Sequence, residues 1–254
     1  MAMEKDKMKP LTLAELTEAA TKRVSLISQE FSRGFEFLIN YPKSVTIFGS
    51  TQTKTEDKYY KLAESVSARI VKELHYSIVT GGGPGIMEAA NKGAFEAGGN
   101  SLGLTIELPN IQITNKYLTD TIRFHYFFCR KVCLAFSAEA YLFFPGGFGT
   151  LDEFTEILTL VQTRKIEQVP IILVGKEYWQ PLIEFFKERI LAEKKIEPAE
   201  LELFKITDDE EEIMKIIKEA PIYFGIRYKG ISKPDDAAAD IITEGTLSHL
   251  RENI

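Results

Sequence analysis

Five short, almost purely apolar runs, at 45–48, 77–80, 102–106, 140–144 and 169–174, alternate with stretches of helical spacing. A sixth, shorter run lies around 122–126. Apolar residues at intervals of three and four predict helices near 57–74, 85–97, 127–136, 151–164, 179–192 and 208–219. Strands that are apolar on both faces must be covered on both faces, so the alternation predicts an α/β fold with a mostly parallel sheet between two helical layers. Ahead of the first strand, Leu16, Ala20, Val24, Ile27, Phe31, Phe35 and Leu38 form one helical stripe, expected to pack on the core or on a partner and to end at Tyr41-Pro42.

The 254 residues read as a single domain over 1–254, with 1–10 and about 228–254 expected to be weakly packed tails. A formal net charge of −6 argues against a nucleic-acid partner. No run reaches the ~20 apolar residues of a membrane span, and no apolar segment follows the polar start, so the expectation is no membrane association and a cytoplasmic location. Cys129 and Cys133, four apart on one helical face with no second pair of ligands, read as core thiols rather than a disulfide or a metal site. His75, His125 and His249 read as structural or exposed.

In parallel sheets of this kind ligands bind beyond the carboxyl ends of the strands, and three of those ends carry glycine or hydroxyl turns. The first is Gly49-Ser50-Thr51, in which Ser50 can hydrogen-bond a ligand or serve an ordinary turn. The second is Thr80-Gly81-Gly82-Gly83-Pro84-Gly85-Ile86-Met87-Glu88, more glycine than a tight turn requires, which points to close approach at Gly82 and Gly83. Glu88 stands where a dinucleotide fingerprint has its last glycine, so binding of NAD is disfavoured even though Glu107 ends the next strand. Glu88 also suits the first turn of a helix as a simple dipole partner. Ala89, Ala90, Gly93, Ala94 and Ala97 are small enough to bring that helix close to the sheet.

The third end is Pro145-Gly146-Gly147-Phe148-Gly149-Thr150-Leu151-Asp152-Glu153. A glycine-rich turn opening a helix leaves backbone N–H groups free for an anion. Thr150 and Glu153 also have the spacing of a capping box, in which Thr150 caps the helix and Glu153 only satisfies a backbone N–H. A capping box does not call for the preceding glycines, so a functional reading of the motif is preferred. Arg130-Lys131 interrupts an aromatic and apolar stretch just ahead of the strand that feeds Pro145; the pair reads as a solvated helix edge or as cations that reach a phosphate at the same sheet end.

Together the glycine turn at 80–88, Arg130-Lys131 and the 145–153 motif resemble the LONELY GUY-type phosphoribohydrolases, formerly mislabelled lysine decarboxylases, and most closely the longer bacterial type. The resemblance runs from about Val45 to Trp179. It implies a Rossmann-like fold, a homodimer or larger homo-oligomer, and hydrolysis of the N-glycosidic bond of purine nucleoside 5′-monophosphates, of adenine or N6-modified adenine, to free base and ribose 5-phosphate. It places catalysis on Arg130 and Glu153. Substrate contacts fall on Ser50, Gly82, Gly83, Glu88, Lys131, Gly146, Gly147, Phe148, Gly149, Thr150, Asp152 and Thr159. No metal, flavin or pyridoxal phosphate is implied. Molybdenum-cofactor carrier-like proteins share the fold and the glycine turns, and a non-catalytic nucleotide-binding module is the alternative. The polar segment 109–121 is the expected specificity loop.

Overall fold

The computed structural model describes residues 12–107 and 114–222. The expected tails at 1–10 and 228–254 lie outside the described residues, as does part of the expected specificity loop. Seven strands, β1 (Ser44–Phe48), β2 (Ser77–Thr80), β3 (Ser101–Ile106), β4 (Asp120–Phe124), β5 (Ala140–Phe143), β6 (Ile171–Leu173) and β7 (Lys205–Ile206), form one parallel sheet in the order β4-β3-β2-β1-β5-β6-β7. The chain moves outward from β1 to β4, then returns to the other side of β1 at β5. That reversal opens a crevice at the carboxyl ends of β1 and β5, where such sheets bind ligands.

The helices are α1 (Leu13–Ile39), α2 (Lys58–Arg69), α3 (Ile86–Glu96), α4 (Phe127–Ala135), α5 (Phe148–Gln162), α6 (Lys176–Phe185) and α7 (Glu210–Glu219). Single π-helical turns, Ile70–Leu74 and Phe186–Leu191, extend α2 and α6. Period-two alternation divides the strand side chains between two cores. Tyr141, Phe143, Ile171 and Leu173 join Leu38, Cys133, Phe154, Ile157 and Trp179 beneath α1, α4, α5 and α6. Val45, Ile47, Leu142 and Ile172 join Tyr60, Ala63, Ala90 and Ile213 beneath α2, α3 and α7. The two covered faces and the parallel sheet are those expected. β7 is an addition, two residues long and too short to leave a periodic signal.

The N-terminal stripe behaves differently along its length. Leu38 is buried, and Ile27, Phe31 and Phe35 pack against the core, whereas Leu16 and Val24 are exposed. Only the second half of α1 lies on the body. Gly34 makes this possible, because a Cβ there would collide with the Cys133 sulfur. Burial raises the thiols of Cys129 and Cys133 to about 11 and about 12, so both remain protonated core groups.

Gly93 departs from expectation in its partner. Its missing Cβ faces the Glu64 backbone of α2 rather than the sheet, while Ala89, Ala90 and Ala94 are fully buried. Gly93→Ala should therefore wedge the two helices apart and lower unfolding free energy by about 1–3 kcal/mol, measurable by denaturant titration.

Candidate active site

The three glycine or hydroxyl turns meet through the backbone of Ser50. Its N–H donates to the Pro145 carbonyl (2.9 Å), and its carbonyl accepts from Ile86 N–H (3.0 Å). The ends of β1, β2 and β5 are thereby tied into one rim. Gly85, with φ +70° and the Ser50 carbonyl oxygen where a Cβ would stand, admits no side chain. The Ser50 hydroxyl is occupied locally, accepting from Gln52 N–H at 3.0 Å.

A buried polar network supports the second turn. Thr80 Oγ1 donates to Asn91 Oδ1 (2.6 Å) and accepts from Gly82 N–H (2.9 Å). Asn115 donates through its backbone to the Gly82 carbonyl (2.9 Å) and through Nδ2 to the Gly83 carbonyl (3.0 Å) and to Asn91 Oδ1 (2.9 Å). Gly82 and Gly83 are consequently fixed with their carbonyls turned toward Asn115. Glu88 lies half-buried in the first turn of α3 and accepts from the Tyr60 hydroxyl at 3.4 Å.

Arg130 reaches across these strand ends from α4. Its Nε donates to the Leu104 carbonyl at 2.6 Å, its guanidinium packs where a Gly81 side chain would be, and it lies 5.8 Å from the Phe127 ring. The entry of α4 is set by α1: the Glu30 carboxylate accepts from the backbone N–H groups of His125 (2.6 Å) and Tyr126 (3.0 Å). His125 pairs with Glu107 at 3.3 Å on the surface, the structural role expected of it. Burial pulls Arg130 below its ordinary value and the Glu153 carboxylate opposes this, yet a guanidinium stays charged throughout. Gly81→Ala would displace the guanidinium, and an activity loss of about 10- to 100-fold with little change in melting temperature is expected.

Glu153 is 6 % exposed on α5, and its Oε2 has no hydrogen-bond partner among the described residues. Burial pushes its pKa up to about 7 against the opposing pull of Lys131 and Arg130. α5 starts at Phe148 with Gly147 as N-cap and no side-chain cap, so Thr150 is the third residue of the helix. The capping-box alternative for Thr150 and Glu153 is thereby corrected. The helix begins three residues earlier than the periodicity implied because glycines carry no apolar signal.

Of the motif glycines, Gly147 and Gly149 have open space where a Cβ would be, and Phe148 is 91 % exposed. Gly146 faces the buried Thr150. Lys131 is held by Asp152 (2.5 Å) and Glu156 (3.0 Å), which makes it a partner of carboxylates rather than a free anion donor. Thr159 stands apart. It is exposed further along α5, donates to the Thr155 carbonyl (2.7 Å) and lines a separate cleft with Leu158, Phe186 and Phe204. Asn115, Asn91 and Tyr178, whose hydroxyl donates to the Gly146 carbonyl at 2.5 Å, shape the site without having been singled out in the sequence. A lone amide or phenol has no spacing pattern to reveal it.

A family described as "Possible lysine decarboxylase" matches residues 87–217. A cytokinin riboside 5′-monophosphate phosphoribohydrolase of Rhodococcoides fascians is 30% identical over 162 residues, covering 62% of this chain and 80% of the relative. An Arabidopsis thaliana protein of the same description is 23% identical over 174 residues, covering 68% and 76%. Among solved structures, the structural-genomics target TM1055 aligns with TM-score 0.53 and 22% identity over 70% of this chain and 99% of that one. The molybdenum cofactor binding protein of Rippkaea orientalis aligns with TM-score 0.51 and 20% identity over 69% and 93%. Both confirm the Rossmann-like fold. With half of its residues inside the family match and both site motifs on one sheet edge, the chain belongs to the LONELY GUY-type phosphoribohydrolases, the family long described as lysine decarboxylases.

Proposed function

We propose that this protein hydrolyses the N-glycosidic bond of purine nucleoside 5′-monophosphates, releasing the free base and ribose 5-phosphate. The observation that carries the reading is Glu153, an unpartnered buried carboxylate beside an open glycine turn and two cations. The free N–H groups around Gly146 to Gly149 hold the phosphate, and that binding energy sets the ribose at the carboxylate. Water adds to C1′, the C1′–N9 bond breaks with its electron pair leaving on the purine, and the proton lost by water ends on the purine. Positive charge builds on the sugar in the transition state, and an ionised Glu153 stabilises it or takes the proton from water. Arg130 orients the nucleotide or offsets the charge that develops on the departing base. Ser50, Gly82, Gly83 and Glu88 line the rim, Thr150 supports the turn, and the Lys131–Asp152 pair borders it. The functional unit is proposed to be a homo-oligomer.

Incubation with AMP, GMP, CMP and N6-isopentenyl-AMP, with free base followed by chromatography, tests the proposal. Release from the adenine nucleotides is the expected result. Tight nucleotide binding without release of any base would instead support the carrier-like alternative.

A further inference from the structure

The Gly146–Gly149 turn presents its N–H groups outward because three successive carbonyls are tied back. The Pro145 carbonyl accepts from Ser50 N–H (2.9 Å), and the Gly147 carbonyl accepts from Thr150 (3.0 Å) and Leu151 (3.1 Å). Between them, the Gly146 carbonyl accepts from the Tyr178 hydroxyl at 2.5 Å. A trans peptide points its N–H opposite to its C=O, so each anchored carbonyl aims the next N–H, of Gly146, Gly147 and Phe148, away from the anchor. Two of these carbonyls are held by main-chain N–H groups, which an ordinary side-chain substitution leaves in place. The middle one is held by a side chain.

Tyr178 is itself held in place. It occupies the first turn of α6, whose start is fixed by Asp208, the carboxylate accepting from Gly175 N–H (2.5 Å) and Lys176 N–H (3.1 Å). Gly175, at φ +109°, allows this turn to nest against Pro145, whose Cγ lies 3.0 Å from where a Cβ would stand. The neighbouring Trp179 indole N–H donates to the carbonyls of Phe143 (3.2 Å) and Val174 (3.0 Å) and locks the helix to the sheet. The hydroxyl thus comes from a rigid element, and the turn it holds is glycine on both sides.

We infer that Tyr178 is a positioning residue for the anion site: by holding the Gly146 carbonyl it aims the Gly147 N–H at a bound phosphate. The inference rests on the proposed function only in taking that anion to be the phosphate of ribose 5-phosphate. Tyr178→Phe removes the hydroxyl and keeps the ring against Trp179, so the fold is preserved.

Calorimetric titration of wild type and Tyr178→Phe with ribose 5-phosphate, inorganic phosphate and adenosine separates the possibilities. The expected result is affinity for the two phosphates weaker by about 3- to 10-fold in the variant, the effect of one hydrogen bond. Adenosine affinity and melting temperature should not move. Equal phosphate affinity in both proteins overturns the role of Tyr178, as does a loss shared equally by adenosine. Absence of phosphate binding in wild type overturns the anion-site reading itself. Phosphate binding without nucleotide cleavage leaves Tyr178 in its role and refutes only the hydrolase.

Discussion

Replacement of Glu153 by Gln is expected to abolish base release, by about 10²- to 10⁴-fold, while the protein becomes more stable above neutral pH. Both effects have the same origin. The carboxyl is buried with an unpartnered oxygen, and its pKa stands at about 7 rather than 4.5. Below pH ~4.5 the folded and unfolded chains both carry it protonated, and it costs nothing. As pH rises toward 7 the unfolded chain ionises first, and the folded state loses stability relative to it. Above about 7 the penalty is constant, of order 3 kcal/mol, and Gln escapes it. Denaturant unfolding at pH 4 and pH 8 should show the variant gaining on wild type only at the higher pH. Activity runs the other way. Either role for Glu153 needs the anion, so wild-type turnover should fall by up to about tenfold per pH unit below about 7. A flat profile, or a Gln variant that still turns over, would sink the assignment.

Arg130→Ala is expected to cost about 10²- to 10³-fold in kcat/KM, the loss of one preorganised charge at the reacting centre. Arg130→Lys should not rescue it. The Nε donates to the Leu104 carbonyl while the rest of the guanidinium lies over Gly81, and an ammonium has no second group with which to keep that anchor. Arg130 also holds the Glu153 pKa down. Its removal should therefore move the residual pH–rate midpoint upward from about 7, measurable with saturating AMP across pH 6 to 9. A midpoint that stays in place would mean that the two groups do not share a site.

Much of this architecture was legible because its signals are local. Apolar runs such as 140–144 and the glycines at 81–83 and 146–149 encode strand and turn in a few residues, and the alternation implies covered faces. The sequence places the start of α5 three residues late, because a helix opening on Gly147 and Phe148 carries no apolar period and Thr150 has the spacing of a cap. The exposed and packed halves of the N-terminal stripe were indistinguishable, since periodicity marks a face and not what lies beneath it.

By itself the sequence determined the parallel α/β sandwich and the glycine-rich strand ends, and the family resemblance pointed to Arg130 and Glu153 as the candidate pair. Only the tertiary structure decided that Ser50 links all three turns, that Asn115 and Tyr178 hold their carbonyls, and that Glu153 is buried beside two cations rather than capping a helix. Strand and helix arise from neighbours in the chain, whereas the direction of an N–H group and the pKa of a carboxylate depend on residues brought together from distant segments.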